Sequence, residues 1–245
     1  MISWELRDTG ESGQGMFATR LIQPGETILE DWQYFDVKGK YAPEWIFTLK
    51  NSIPEMQQVQ GIIATNQINI GNEEVVVYKT FSKFNHSCNP NAENFTNKKT
   101  MVIVAIKPIF PGEEITISYY KSLRFLDDIE EIHEYTKKFW RFDCNCTLEQ
   151  SPWRPFKDEL KEMLKGIECI NEARLDELIP LITYHHPIVA SFILAKICEM
   201  YLKAEMHEKA QKYRTAYVQS VGHISHRYPD SPNQLMLFTP YKKEE

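Results

Sequence analysis

Long apolar runs are missing from this chain of 245 residues. Nowhere do the ~18 consecutive apolar residues of a membrane-spanning helix occur, and the opening Met1-Ile2-Ser3-Trp4-Glu5-Leu6-Arg7-Asp8 holds no apolar core of a secretory leader. Positive charge is not in excess either. The 28 Lys and Arg against 34 Asp and Glu leave a formal charge of −6, which speaks against a general polyanion binder and against direct nucleic-acid contact. Cysteine is sparse and odd in number: Cys88, Cys144, Cys146, Cys169 and Cys198. Cys144 and Cys146 stand too close for an easy mutual disulfide, so this usage suits a reducing compartment and a metal. No sustained internal period is found, which excludes a repeat array, and low-complexity sequence is confined to the tail Lys242-Lys243-Glu244-Glu245, expected to fray. The expectation is a globular protein of the cytoplasm, the nucleus or both, with no membrane segment.

What is present divides near residue 120. Before it, short stretches such as Met16-Phe17-Ala18, 27–29, Val75-Val76-Val77-Tyr78, 101–106 and 115–119 are rich in β-branched and aromatic residues and are separated by Gly, Pro and Asn. Pro24-Gly25-Glu26 and Pro111-Gly112-Glu113 read as turns entering strands, and a helical insert over 54–65 interrupts the pattern. Beyond residue 120 the spacing becomes helical, from Leu123 through Ile129 and Ile132 to Trp140. A linker over 151–155 follows. Val189, Ile193, Ile197, Met200 and Ala204 then form one stripe, and Ala210, Tyr213, Tyr217, Val221 and Ile224 another, which predicts two helices joined by a turn over 205–208.

Three segments stand out within the strand-rich half: Ser12-Gly13-Gln14-Gly15-Met16-Phe17-Ala18, then "FNHSCNPN" from Phe84 to Asn91, then Gly112-Glu113-Glu114 leading to Tyr119. Each alone has an ordinary reading, as a tight turn, a self-capped turn or a surface turn into a strand. Together, in this order, they resemble the SET-domain family of protein lysine methyltransferases. Phe142-Asp143-Cys144-Asn145-Cys146 resembles that family's post-SET segment, and the SMYD-type branch is the most similar.

The resemblance implies an α+β SET-domain fold, small β-sheets with a pseudoknot, followed by a helical C-terminal region. The corresponding division is 1–122 for the SET domain, 123–150 for a connecting helix and post-SET-like segment, and 151–245 for the helices. It implies S-adenosylmethionine as cofactor and lysine of a protein or peptide, histone or non-histone, as methyl acceptor. Gly13, Gln14, Gly15 and Met16 would approach the methionine part of the cofactor by backbone groups, Asn85 and His86 would hold the adenine, and Phe142 would stack on it. Tyr119 would serve catalysis and also face the sulfonium. Tyr119, Tyr120 and Phe84 are expected along the lysine channel, with Asn66 and Tyr78 lining the pocket more loosely.

The family's zinc is held by four thiolates, of which Cys88, Cys144 and Cys146 match and the last is Glu149 here. A Glu149 carboxylate oxygen or the Cys169 thiolate would close the shell; otherwise the cysteines are reduced thiols in a packed core. His133, His185 and His186 receive no role. The zinc-binding MYND insertion of the branch is absent, since no cysteine lies between Asp31 and Asn66. An inactive SET-fold scaffold, or an adaptor acting through the C-terminal helices, are the rival readings.

Overall fold

A computed structural model describes residues 2–9, 13–39, 41–70, 74–97, 99–120 and 123–220. Ser12, Val221, Ile224 and the charged tail lie outside the described residues. The described parts fall into two compact units, Met1–Tyr119 with His133–Cys146, and Tyr120–Ile132 with Thr147–Glu245.

The first unit is built from short strands. In chain order these are β1 (Trp4–Asp8), β2 (Gln14–Ala18), β3 (Thr27–Asp31), β4 (Tyr34–Asp36), the helix α1 (Gln58–Asn66), β5 (Ile68–Asn69), β6 (Val75–Tyr78), β7 (Asn85–His86), β8 (Ala92–Asn97), β9 (Thr100–Ala105) and β10 (Thr116–Ile117). They make three small antiparallel sheets, β1-β2, β3-β9-β8 and β4-β6-β5, and one parallel pair, β7 with β10. The central strands are the ones with unbroken apolar runs. Met101 to Ala105 of β9 and Val76 to Tyr78 of β6 are all at most 1% exposed, because a middle strand covered on both faces leaves no position for polar alternation.

Met16, Ala18, Ile22, Phe84, Ile103, Ile115 and Ile117 meet in one core, so the strands that carry the motif segments are anchored by their apolar neighbours. Asp31, buried at the end of β3, accepts the Thr80 and Phe81 amides on Oδ2 (2.7 and 2.8 Å). That carboxylate satisfies amides the short turn over Phe81–Lys83 leaves open, and it fixes the chain that runs into Phe84 and β7.

Beyond residue 120 the helical pattern resolves into a 3-10 turn, Leu123–Leu126, and α2 (Ile129–Trp140), with Glu130 and Glu131 in its first turn and Lys137 and Lys138 in its last, matching the helix dipole. The second unit adds α3 (Lys157–Met163), α4 (Glu172–His185), α5 (Pro187–Lys203) and α6 (His207–Ser220). The two striped helices are α5 and α6. Glu205, at φ 58°, turns the chain between them, and Tyr201 stacks on Tyr213 at 5.5 Å. The stretch 151–155, expected as a linker, is core instead: Trp153 and Arg154 are 0% and 2% exposed. Arg154 donates from Nη1 to the Phe125 carbonyl (2.6 Å), from Nη2 to the Asp127 carbonyl (2.8 Å) and from Nε to Glu149 (2.9 Å). The guanidinium fork thereby closes the carbonyls at the end of the 3-10 turn.

Truncating Arg154 orphans those carbonyls inside the unit. Arg154→Ala is expected to lower unfolding stability by about 3 kcal/mol, read as a reduced midpoint in urea with little change in slope.

Candidate functional site

The parallel pairing sets Asn85 opposite Thr116 and His86 opposite Ile117, and Ser87 donates its amide to the Ile117 carbonyl (2.9 Å). His86 and Tyr119, 33 positions apart, are thereby joined, with the Tyr119 amide on His86 Nδ1 at 3.1 Å and the ring centroids 5.3 Å apart. The Tyr119 hydroxyl donates to the Phe84 carbonyl at 2.8 Å. Trp140 stands 5.6 Å from the Tyr119 ring, and Phe142 stands 5.7 Å from His86 and meets Tyr119 edge-on at 6.2 Å. All four rings are half-buried. They form an aromatic group of the kind that stacks on a heterocycle or attracts an ammonium.

Burial, aided by the negative charge of Glu114, pushes the Tyr119 hydroxyl above the ordinary tyrosine range, so it stays protonated at neutral pH. Burial also pulls His86 down to about 4, which keeps the imidazole neutral. An amide can only donate, so Nδ1 is the acceptor and the ring proton sits on Nε2, which faces Cys88 Sγ at 3.3 Å.

On the other side of β7, Asn85 Nδ2 donates to the Gln14 carbonyl (3.1 Å) and to Glu114 Oε1 (2.7 Å). The glycine turn has to let this pair pass. A Cβ on Gly15 would lie 2.3 Å from Glu114 Oε1 and 2.9 Å from Asn85 Nδ2, and Gly13 takes a φ of +84° that side chains disfavour. Met16 sends its side chain into the core and accepts the Ile115 amide on its carbonyl (2.7 Å). Gln14, Asn85 and Glu114 are thus hydrogen-bonded together, with Gly15 packed against them.

Sequence reasoning quoted Asn91 and Glu114 but gave them no task. Asn91, 8% exposed, accepts the Thr116 amide on Oδ1 (2.9 Å) and donates to the Glu114 carbonyl (2.8 Å), pinning the turn that enters β10. Asparagines on both sides of Pro90 were the available signal, because such a residue satisfies backbone groups where a strand has not yet begun. Other expectations are met differently. The Phe84 ring is core, 1% exposed, and its carbonyl accepts the Tyr119 hydroxyl. Asn66 Nδ2 is spent on the Lys50 and Ile62 carbonyls, and the buried Tyr78 donates to the Lys99 carbonyl. Tyr120 packs on Phe125 in the second unit.

None of the five cysteines is in a disulfide. Cys88 and Cys144 bring their sulfurs to 3.5 Å, close to the ~3.8 Å expected for two thiolates on one tetrahedral zinc with bonds of ~2.3 Å. Two trios of potential ligand atoms, each within 4.8 Å, share Cys144: His86 with Cys88 and Cys144, and His133 with Cys144 and Cys146. The donor chemistry fits zinc. Neither Glu149 nor Cys169 belongs to either trio, and Glu149 is held by Arg154.

Residues 13–120, somewhat under half of the chain, match the SET domain family model. Its curated relatives include mouse histone-lysine N-methyltransferase SMYD3, 33% identical over 96 residues, which covers 39% of this chain and 21% of that one. Arabidopsis thaliana histone-lysine N-methyltransferase ASHR1 is 26% identical over 157 residues, 64% of this chain and 29% of the relative. A Dictyostelium discoideum SET and MYND domain-containing protein is 37% identical over 71 residues, 29% and 20% of the two chains. The matched regions therefore span between a fifth and a third of these relatives' lengths.

Gly15→Ala forces Glu114 and Asn85 apart and is expected to cost about 2 kcal/mol of stability; combined with Glu114→Ala the loss should be clearly less than additive, because the clash partner is gone. Thermal unfolding of both single variants and the double variant measures this.

Proposed function

We propose that this protein transfers a methyl group from S-adenosylmethionine to lysine side chains of a protein, histone or other. The observation that carries the reading is the meeting of Tyr119 and His86 through a parallel strand pair, with Phe142 against both rings, beside a glycine turn in which a Cβ on Gly15 would press on Glu114 and Asn85. Bound S-adenosylmethionine supplies an electrophilic methyl on a sulfonium.

The residues divide the work. Gly13, Gln14, Gly15 and Met16 offer main-chain groups to the methionine part. Asn85 and His86 have their side chains committed, the amide to Gln14 and Glu114 and Nδ1 to Tyr119, so what they present to the adenine is main chain. Phe142 covers the adenine ring by stacking. The phenol proton of Tyr119 is spent on the Phe84 carbonyl, which leaves the oxygen lone pairs to face the methyl and the incoming nitrogen.

A lysine must arrive as the neutral amine. Its ordinary pKa is near ~10.4, and the half-buried rings of Tyr119, Trp140 and Phe142 favour loss of the proton by desolvation. The site holds no strong base, since Tyr119 stays protonated and burial holds His86 at about 4. Rate enhancement then comes from alignment and fixed dipoles.

Tyr119→Phe tests the assignment. S-adenosylhomocysteine should bind with a dissociation constant within about threefold of wild type by calorimetry, while methyl transfer to a mixed-protein substrate drops by ~10²-fold or more. Undiminished turnover in the variant refutes the role of Tyr119. A wild-type protein that binds the nucleoside and transfers nothing is the SET-fold scaffold instead.

A further inference from the structure

We propose that His133 is the fourth ligand of a zinc site whose other ligands are Cys88, Cys144 and Cys146. The inference stands apart from methyl transfer, because it concerns only what closes the metal shell in a chain whose last expected cysteine is Glu149.

The helix and the turn after it bring the groups together. His133 lies on α2, which ends at Trp140, and Arg141 takes a left-handed φ of 59°. Seven residues of helix carry the chain ~10 Å beyond His133. The left-handed residue reverses it, so that Cys144 and Cys146 return to within 4.8 Å of a His133 ring nitrogen. Cys88, from the segment after β7, adds its sulfur 3.5 Å from that of Cys144. Cys144 is therefore the hinge of the set, and an ion bound there draws Cys88 and Cys146 onto a common centre.

The state of the two imidazoles decides between them. A neutral imidazole has one lone pair to give. His86 gives its own to the Tyr119 amide at 3.1 Å and turns Nε2–H toward Cys88 Sγ at 3.3 Å, the arrangement of an outer-shell donor to a metal-bound thiolate. His133 Nε2 is buried and has no hydrogen-bond partner among the described residues. Buried polar atoms without partners are uncommon, and one at the edge of a thiol cluster is accounted for by a metal bond. Glu149, the alternative oxygen ligand, is bonded by the buried Arg154. Three thiolates and one imidazole make a closed Cys3His shell of the kind structural zinc adopts. In this reading the metal ties the end of α2 and the Phe142 segment to the strand that carries His86.

Metal analysis of the full-length protein, purified without chelator, should find about one zinc per chain. His133→Ala should lose the zinc, whereas Glu149→Gln and Cys169→Ser should keep it with wild-type release into a chelator. His133→Cys should retain zinc. On cobalt substitution its visible bands should move from those of a three-sulfur, one-nitrogen site to those of a four-sulfur site, so the proposal stays testable even where the alanine variant fails to fold. Absence of stoichiometric zinc in wild type, full retention in His133→Ala, loss in Glu149→Gln or Cys169→Ser, or unshifted cobalt bands in His133→Cys would each overturn it. None of these readouts uses methyl transfer, so a protein that transfers nothing leaves the zinc result intact, and the converse also holds.

Discussion

The parallel pairing of Asn85-His86 with Thr116-Ile117 is the constraint on which the candidate site depends. Two residues a side are too few to hold by themselves; such a ladder is marginal in water, and parallel bonds are slanted. The side chains supply what the ladder lacks. Asn91 holds the Thr116 amide, Asn85 reaches Glu114, and His86 Nδ1 takes the Tyr119 amide. Ile115 and Ile117 are locked in the core beneath. A short strand pair is thereby turned into a platform held in place by side-chain hydrogen bonds and by the core beneath it.

That economy shapes the electrostatics. Every heteroatom with an assigned hydrogen bond at the centre serves position: a phenol donating to a carbonyl, an imidazole accepting an amide, an amide bridging a carbonyl and a carboxylate. Burial then keeps the phenol protonated and the imidazole neutral. Such a centre is built to orient and desolvate rather than to shuttle protons, which is what the proposed methyl transfer would require.

Much of this was legible before any coordinates. The turns at Gly25 and Gly112, the apolar runs of β6 and β9, and the striped α5 and α6 follow from local patterning, and the three motif segments pointed to one site through family resemblance. Other features were hidden for physical reasons. α4 carries only Leu175, Leu178 and Ile182 as buried positions and holds Pro180, so its stripe is thin. Arg154 looked like linker because a buried guanidinium is justified only by carbonyls 27 and 29 positions away. The Phe84 ring, expected along a channel, is 1% exposed, and its carbonyl accepts the Tyr119 hydroxyl. His133 resembled any histidine on an amphipathic helix until the left-handed Arg141 folded Cys144 and Cys146 back beside it.

The distance along the chain between Phe84 and Tyr119, 35 positions, also governs how the protein is made. A ribosome adding ~5–20 residues per second needs ~2–7 s to cover that interval, during which the edge of Asn85-His86 has nothing to pair with. The nascent polypeptide therefore cannot complete this strand pair until Thr116-Ile117 has been added.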